Sequence, residues 1–310
     1  MDNLKEKIKS KAYEIGFAEI GFVKARKFNE YADTLHQLAD KNNYPPFVTE
    51  EIEKRTNPFL LMEECKSIIS LAVAYNDLVS LSLQHPPDKK QGYITPSAWG
   101  EDYHLRLKNM MNKLVAYINS LTKGHYRFLP FVDTGHLSDR HIATLAGIGF
   151  CGKNTNLITP SAGSFVWLGH IICNLEVNED TPVNFDCGSC RKCIESCPVG
   201  AIKEGEGLDY SKCLANQLIQ KETPLTILNR SENRIYGCDT CQIVCPKNVP
   251  VLNGKGGKTF LTEPEWLDLK TLMNISNKEF KNRYGKKAYG WRGKKVLKRN
   301  AENIVRQTDK

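Results

Sequence analysis

Cysteine spacing constrains this chain more than any other feature of its sequence. Eight of its eleven cysteines form one arrangement, namely Cys187-x2-Cys190-x2-Cys193-x3-Cys197-Pro198, a single Cys213, and Cys238-x2-Cys241-x3-Cys245-Pro246. A cysteine run of this spacing, closed by Cys-Pro, is typical of proteins that bind cubane iron–sulfur clusters. Because eight thiolates can hold two four-iron clusters, the spacing predicts two [4Fe-4S] clusters and one-electron chemistry.

Disulfides and structural zinc are the alternative interpretations of these cysteines. The chain begins Met1-Asp2-Asn3-Leu4-Lys5-Glu6, without the apolar region of a signal peptide, and disulfides are rare in reducing compartments. Structural zinc usually takes two separated Cys-x2-Cys pairs rather than a run closed by Cys-Pro. We therefore expect clusters, and a cytoplasmic location.

The ligands can be divided between the clusters by the crossover of two-cluster ferredoxins, in which the fourth cysteine of a run binds the other cluster. One cluster is expected to bind Cys187, Cys190, Cys193 and Cys245, and the other Cys197, Cys213, Cys238 and Cys241. Cys213 then supplies the ligand that the second run lacks. The other three cysteines lie in apolar settings and are predicted to be buried without a role, namely Cys65, Cys151 and Cys173.

Positive charge is concentrated near the C-terminal end. The net charge is +8, and nine basic residues with no acidic residue lie between Lys281 and Arg299. Tyr284, Tyr289 and Trp291 are interleaved with them, as in surfaces that combine phosphate contacts with base stacking. The alternative is a solvated, partly disordered tail, because blocks of like charge are often only tails.

Hydrophobic periodicity indicates alternating helices and strands before the cysteine runs. The pattern predicts helices over 3–15, about 24–39 and 139–146, and a long helix that begins at 102 and carries an apolar stripe ending at Leu121. It also predicts strands over 17–23, 68–74, 126–132 and 156–158, and a loop over 85–100. This indicates an α+β (α/β-like) fold over residues 1–180. A ferredoxin-like module follows over 181–250, and a linker with the basic segment over 251–310. No apolar run approaches the ~20 residues that a membrane span needs.

Two short motifs allow more than one interpretation. The segment from Gly147 to Asn154 fits both G-x-G-x-x-G and G-x4-G-K, but a predicted helix precedes it and a strand follows, the reverse of a nucleotide-binding loop. We reject nucleotide binding there. Asp133-Thr134-Gly135 follows a predicted strand, where Asp133 is either a turn residue that caps the helix near Ser138 or a catalytic acid at a strand end.

Taken together, these segments resemble the epoxyqueuosine reductase family over nearly the whole chain. The specific part is Val132-Asp133-Thr134-Gly135 with Asp139-Arg140 and the segment Gly147–Thr155. Further matches are Lys54–Pro58, Gly100–His104, both cysteine runs with Gly237-Cys238-Asp239, Trp291-Arg292-Gly293 and Arg299-Asn300-Ala301. The sequence resembles a short member, because it lacks the C-terminal helical repeats of longer ones.

The resemblance implies an oxidoreductase that converts epoxyqueuosine to queuosine at the wobble position of tRNA, with base-off cobalamin and two [4Fe-4S] clusters. The N-terminal domain would resemble nitroreductase and cobalamin-processing folds, and Asp133 matches the family's proton donor. The cobalamin pocket would be lined by Arg55, Ser97, Ala98, Tyr103, Asp133, Asn154 and Leu157.

The same resemblance implies tRNA and an external low-potential electron donor as partners, with no membrane and a monomeric protein. The expected tRNA contacts are Lys287, Trp291, Arg292, Lys294, Lys295, Lys298 and Arg299. Two other functions remain open, namely a reductive dehalogenase-like corrinoid enzyme and a ferredoxin-type electron carrier. A basic segment with aromatic residues favours the tRNA enzyme over the dehalogenase, and an electron carrier would need neither Asp133 nor a cofactor cavity.

Overall fold

The computed structural model describes residues 2–40, 52–133, 136–253 and 263–308. Its chain forms two compact units, both discontinuous in sequence. The first combines Met1–Ala74 with His104–Gly188, and the second combines Tyr75–Tyr103 with Ser189–Lys310. The contiguous boundaries expected from the sequence, at 180 and 250, differ from this division.

The first unit is built on a four-stranded antiparallel sheet. Its strands lie in the order Glu19–Lys24, Ser67–Ala74, Val166–Cys173 and Phe128–Phe131. The two central strands pair over eight residues each and are almost continuously buried. Strands buried on both faces read as apolar runs rather than as alternating patterns, which is why Ser67–Ala74 could be predicted.

Helices and short strands complete the first unit. They are Asp2–Ile15, Asn29–Asp40, Ile52–Thr56, the 3-10 turn Pro58–Leu60, most of Tyr103–Thr122, Asp139–Leu145, and the paired strands Phe150–Cys151 and Leu157–Ile158. Asp139–Leu145 packs against the sheet so closely that a Cβ on Gly21 would lie 2.0 Å from the Ala146 carbonyl oxygen. Gly21 is therefore required by this contact.

The second unit contains a three-stranded sheet in the order Arg234–Tyr236, Gln91–Ile94 and Leu267–Asp268. The first pair is parallel and the second antiparallel. Around it lie Asn76–Gln84, Pro96–Ala98, Lys192–Glu195, Ile202–Lys203, Gly207–Leu208, Leu214–Gln217, Leu225–Leu228, Thr240–Ile243, Val249–Asn253, Leu269–Asn274, Asn277–Tyr284, Gly290–Arg292 and Lys294–Thr308.

The basic C-terminal segment is folded, so the alternative of a disordered tail is wrong for its described residues. The helix Lys294–Thr308 buries Leu297 and Ala301 completely. Asn300, also fully buried, donates hydrogen bonds to the carbonyls of Leu218 and Ile235. The predicted Gly-rich linker falls largely on residues 254–262, outside the described residues.

Three local predictions were wrong. Cys151 was expected to be buried like Cys65 and Cys173, but it is exposed, because it lies on the short strand pair Phe150–Cys151 and Leu157–Ile158 outside the central sheet. The predicted loop over 85–100 contains the strand Gln91–Ile94 and a 3-10 turn, because its pairing partners lie far away in sequence. Leu121 leaves the buried stripe of its helix and is 39% exposed. No helix of the described residues is long and apolar enough to cross a membrane.

Candidate functional site

None of the predicted cluster ligands is in a disulfide, and the same holds for the other three of the eleven cysteines. Seven lie in the second unit, and Cys187 lies at the end of the first. Burial raises the pKa of Cys213, and the nearby Cys238 and Cys197 raise it further. Burial likewise raises the pKa of Cys241, with Cys238 and Cys213 among its charged neighbours. The structure therefore places Cys213 near Cys238 and Cys197, and Cys241 near Cys238, Cys213 and also Cys193, a predicted ligand of the other cluster.

Hydrogen-bond donors approach several of these sulfur atoms. The Ala201 amide donates to Cys197 Sγ at 3.2 Å, and the Lys153 amide to Cys187 Sγ at 3.4 Å. Such donors favour thiolate and tune cluster potentials. Within the described ranges, no three or more His, Cys, Asp or Glu side chains are grouped to hold a single metal ion. A four-iron cluster is larger than an ion, so its ligands need not converge so closely.

The Gly-rich segment that resembles a nucleotide loop packs beside Cys187. A helix precedes it and strands flank it, which is the order that led us to reject nucleotide binding. A Cβ on Gly152 would lie 2.7 Å from Ile158 Cδ1 and 3.6 Å from Cys187 Sγ. Glycine at position 152 lets the backbone approach the proposed cluster ligand Cys187. This close approach explains the glycine without a role in binding a nucleotide phosphate.

Asp133 follows the strand Phe128–Phe131 with an exposed side chain. Its φ of +48° lies in the left-handed region, which Asp adopts more readily than most residues. Its Oδ2 atom lies 3.6 Å from His104 Nε2, and 60% of its side chain is exposed. The N-cap of the following helix is Ser138 rather than Asp133. In addition, the sheet is antiparallel, so the strand-end rule of parallel α/β folds does not apply here.

The sequence reasoning missed His170, which contacts the segment that follows Asp133. Its Nε2 atom, on a fully buried ring, lies 3.1 Å from Asp139 Oδ1 at the first residue of the helix Asp139–Leu145. Arg140, the next residue, donates to the Thr155 hydroxyl at 3.1 Å. These contacts connect the helix after Asp133 to the central strand and to the Gly-rich segment. In the sequence, the pair Asp139-Arg140 within the motif that resembles the epoxyqueuosine reductase family was the feature that could have pointed to these contacts.

The residues predicted to line a cobalamin pocket have different environments. Arg55 Nε is buried and has no hydrogen-bond partner among the described residues. Asn154 is buried, and its side chain accepts a hydrogen bond from the Asn156 amide. The Leu157 side chain packs in the hydrophobic core, so only its backbone remains for a ligand. Ser97, Ala98 and Tyr103 belong to the second unit.

The predicted tRNA contacts divide into exposed and internally bonded residues. Trp291 is 55% exposed, Arg292 stacks on its ring at 4.0 Å, and Lys295 is exposed. In contrast, Arg299 donates to the carbonyls of Gln220 and Lys221. Three lysines have partners within the protein: Lys287 pairs with Glu265, Lys294 donates to the Ile275 carbonyl, and Lys298 pairs with Glu302.

The cysteine arrangement and the fold define an iron–sulfur protein. Residues 186–248 match the family described as a 4Fe-4S double cluster binding domain. Residues 55–134 match the one described as epoxyqueuosine reductase QueG, DUF1730. The chain belongs to the epoxyqueuosine reductase family and is an enzyme. This follows from curated relatives, because the Bacillus anthracis epoxyqueuosine reductase is 41% identical over 310 residues, covering 97% of this chain and 79% of that one.

Other relatives agree. The epoxyqueuosine reductase of Cellulophaga algicola is 31% identical, with 97% of this chain and 99% of that protein covered. The solved structure from Streptococcus thermophilus has a TM-score of 0.91 at 35% identity, covering 99% of this chain and 82% of that one. An epoxyqueuosine reductase solved with an epoxyqueuosine-modified tRNA stem loop has a TM-score of 0.88 at 36% identity, with coverages of 98% and 81%.

Proposed function

We propose that this protein reduces epoxyqueuosine to queuosine in the anticodon of tRNA, with electrons supplied through two [4Fe-4S] clusters and cobalamin. The observation that carries the proposal is the similarity along 97% of the chain to proteins named for this activity. The relative solved with a modified tRNA stem loop supports tRNA as the substrate carrier.

The cluster module supplies the electrons. One cluster would bind Cys187, Cys190, Cys193 and Cys245, and the other Cys197, Cys213, Cys238 and Cys241. The match of residues 186–248 to a double-cluster domain supports two clusters. The proximity of Cys213 to both Cys238 and Cys197 supports the second ligand set.

The reaction requires protons as well as electrons. Conversion of the epoxide to an alkene breaks two C–O bonds, forms one C=C bond and releases the oxygen as water, which consumes two electrons and two protons. An alkoxide is a poor product without a proton, so a general acid is needed. Asp133 would donate a proton to this oxygen from its exposed carboxyl. A solved Bacillus subtilis relative is described with its catalytic aspartate loop swung out of the active site, which supports this role for the Asp133 segment.

Cobalamin, when bound in its base-off form, supplies a low-valent cobalt centre that is both strongly reducing and nucleophilic. The buried Arg55 Nε, without a partner among the described residues, fits a polar or anionic group of such a cofactor. Ser97, Ala98 and Tyr103, with the backbone at Asn154 and Leu157, would provide the remaining contacts. We propose these residues as the cofactor-binding set.

The tRNA contact would centre on a surface formed by Trp291, Arg292 and Lys295, which we call the C-terminal surface. Its exposed indole and ammonium groups and the half-buried guanidinium of Arg292 combine a stacking platform with phosphate-binding charge. Lys287, Lys294, Lys298 and Arg299 have partners within the protein and would contribute less.

An anaerobic assay tests the proposed activity. Reconstituted protein is incubated with cobalamin, a low-potential reductant and either an epoxyqueuosine-containing stem loop or the free nucleoside, followed by nucleoside analysis. We expect queuosine from the stem loop only when cobalamin and reductant are both present, and much less from the free nucleoside. Equal conversion of the two substrates would contradict recognition of the RNA.

A further inference from the structure

A transverse row of residues crosses all four strands of the sheet in the first unit and ends close to Asp133 in sequence. Strand pairing places Gly21 opposite Ser70, Ser70 opposite His170, and His170 opposite Phe131. Residues paired in this way project from the same face of a sheet. Phe131 is the last residue of its strand, two positions before Asp133. The row therefore leads across the sheet to the strand that precedes the proposed proton donor.

The helix Asp139–Leu145 packs on this face of the sheet and follows the row. At its C-terminal end, the Ala146 carbonyl oxygen would lie 2.0 Å from a Cβ on Gly21, in the first strand of the sheet order. At its N-terminal end, Asp139 Oδ1 lies 3.1 Å from His170 Nε2, in the third strand. His170 thus holds the helix at the strand that pairs with the one leading into Asp133.

A fully buried histidine is costly in a central strand unless its polar atoms are compensated. Neither ring nitrogen of His170 completes an aligned hydrogen bond among the described residues, and the same holds for the hydroxyl of the paired Ser70. The electrostatic contact with the Asp139 carboxylate is what compensates the ring. An N–H group on Nε2 attracts a carboxylate whether the ring is neutral or protonated. The contact therefore requires no particular charge on His170, and it explains a polar side chain at this place better than packing does.

We infer that His170 is a positioning residue for the reduction of epoxyqueuosine. It acts on the chain on both sides of Asp133, since it pairs in register with Phe131 before it and contacts Asp139 after it. A misplacement of about 1 Å at a reacting group can cost roughly 100-fold in rate. His170 is fully buried, so it acts through the placement of Asp133. The inference rests on the proposed function, because it assumes that Asp133 donates the proton.

The first test compares His170→Phe with His170→Gln in reconstituted protein loaded with cobalamin. Phenylalanine keeps a ring but lacks Nε2, whereas the glutamine amide nitrogen can again contact Asp139. Single-turnover conversion of a saturating epoxyqueuosine-containing stem loop is measured together with the affinity for that stem loop. We expect His170→Phe to lower the rate at least about tenfold without changing the affinity, and His170→Gln to restore most of the rate.

The control for a general loss of packing is Ile142→Val, which shortens a fully buried side chain on the same helix. It should lower the melting temperature and leave the rate unchanged, because it spares the contact between His170 and Asp139. Hydrogen–deuterium exchange in protein without cobalamin gives a readout without turnover. The amides of the helix Asp139–Leu145 should exchange faster in His170→Phe than in wild type, and at nearly the wild-type rate in His170→Gln.

The second test removes the residue through which His170 is inferred to act. In the Asp133→Asn background, His170→Phe should cause no further loss of rate, because the proton donor that it positions is already absent. A purely structural role would lower the rate by the same factor in both backgrounds.

The possible results are distinct. A wild-type rate in folded His170→Phe overturns the inference, and so does a loss of rate of equal factor in the Asp133→Asn background. If His170→Phe does not fold, Asp139→Ala replaces it with the same two expectations, since the Asp139 side chain is 21% exposed. Wild-type protein that forms no queuosine, or full activity in Asp133→Asn, would instead contradict the proposed function.

Discussion

Asp133 combines exposure with a backbone conformation that few side chains adopt. Its carboxyl lies at the surface of the first unit, 3.6 Å from His104, while the helix that follows is held by the contact of Asp139 with the buried His170. Both features suit the proposed role of Asp133 as proton donor, because such a residue must reach its substrate and still be held in place.

Asp133→Asn keeps the size of the side chain but removes its acidic proton. We expect turnover of the epoxide to fall roughly 10²–10⁴-fold, the usual contribution of a general acid, while cobalamin binding is retained. Single-turnover conversion followed by nucleoside analysis measures this. The matched control is Asp88→Asn, at an exposed turn where the carboxylate only accepts the Lys90 amide, and it should leave the rate unchanged. A rate for Asp133→Asn equal to that of the control would assign the proton to another group.

Cys213→Ala removes the ligand that lies outside both cysteine runs. We expect iron content to fall from about eight to about four atoms per chain, because one four-iron cluster loses a thiolate. Iron analysis of anaerobically reconstituted protein measures this, with Cys65→Ala as the control, since Cys65 is buried in the core of the first unit. An unchanged iron content in Cys213→Ala would remove this residue from the ligand set.

At the scale of elements, the helix Lys294–Thr308 has two roles on two faces. One face buries Leu297, Asn300 and Ala301 within the second unit, and the other exposes Lys295. Basic residues of the same segment therefore differ in function, since Arg299 supports a loop through backbone carbonyls while Arg292 lies over the exposed Trp291.

Replacing Arg292 and Lys295 together with alanine should weaken tRNA binding. Each lost phosphate contact also removes counterion release, so the dependence of affinity on salt should flatten by up to about two contacts. Binding of the stem loop at several salt concentrations measures both effects. Lys294→Ala is the control, because its ammonium donates to the Ile275 carbonyl. Unaltered affinity and salt slope in the double variant would place RNA recognition elsewhere.

Asn300→Ala tests the buried face of the same helix. The side-chain amide donates to the carbonyls of Leu218 and Ile235, and both would lose their donor. We expect a loss of about 1–3 kcal/mol in the free energy of unfolding, because buried unsatisfied carbonyls are costly. Thermal unfolding followed by circular dichroism measures this against Lys295→Ala, an exposed change on the same helix. Equal midpoints for the two variants would contradict the structural role.

At the scale of the whole molecule, the sequence predicts what is local and misses what is distant. The helix Asp2–Ile15 follows from periodicity, the strand Ser67–Ala74 from its apolar run, and the proposed cluster ligands from their spacing. The hydrogen bond from the Tyr93 hydroxyl to Asp239 could not be found this way, because Tyr93 lies 146 positions away on a strand whose pattern is too short to recognise. His170 was missed because its partner Asp139 lies on a different element of the fold.

Electron stoichiometry tests the central claim most directly. Protein loaded with cobalamin and an epoxyqueuosine-containing stem loop is titrated anaerobically with measured electron equivalents, and the queuosine formed is counted. Beyond the electrons that reduce the clusters and the cobalt of the added cobalamin, we expect one queuosine for every two electrons, and none when cobalamin is omitted. Electrons consumed while epoxyqueuosine remains intact, in protein that carries both clusters, would contradict the account.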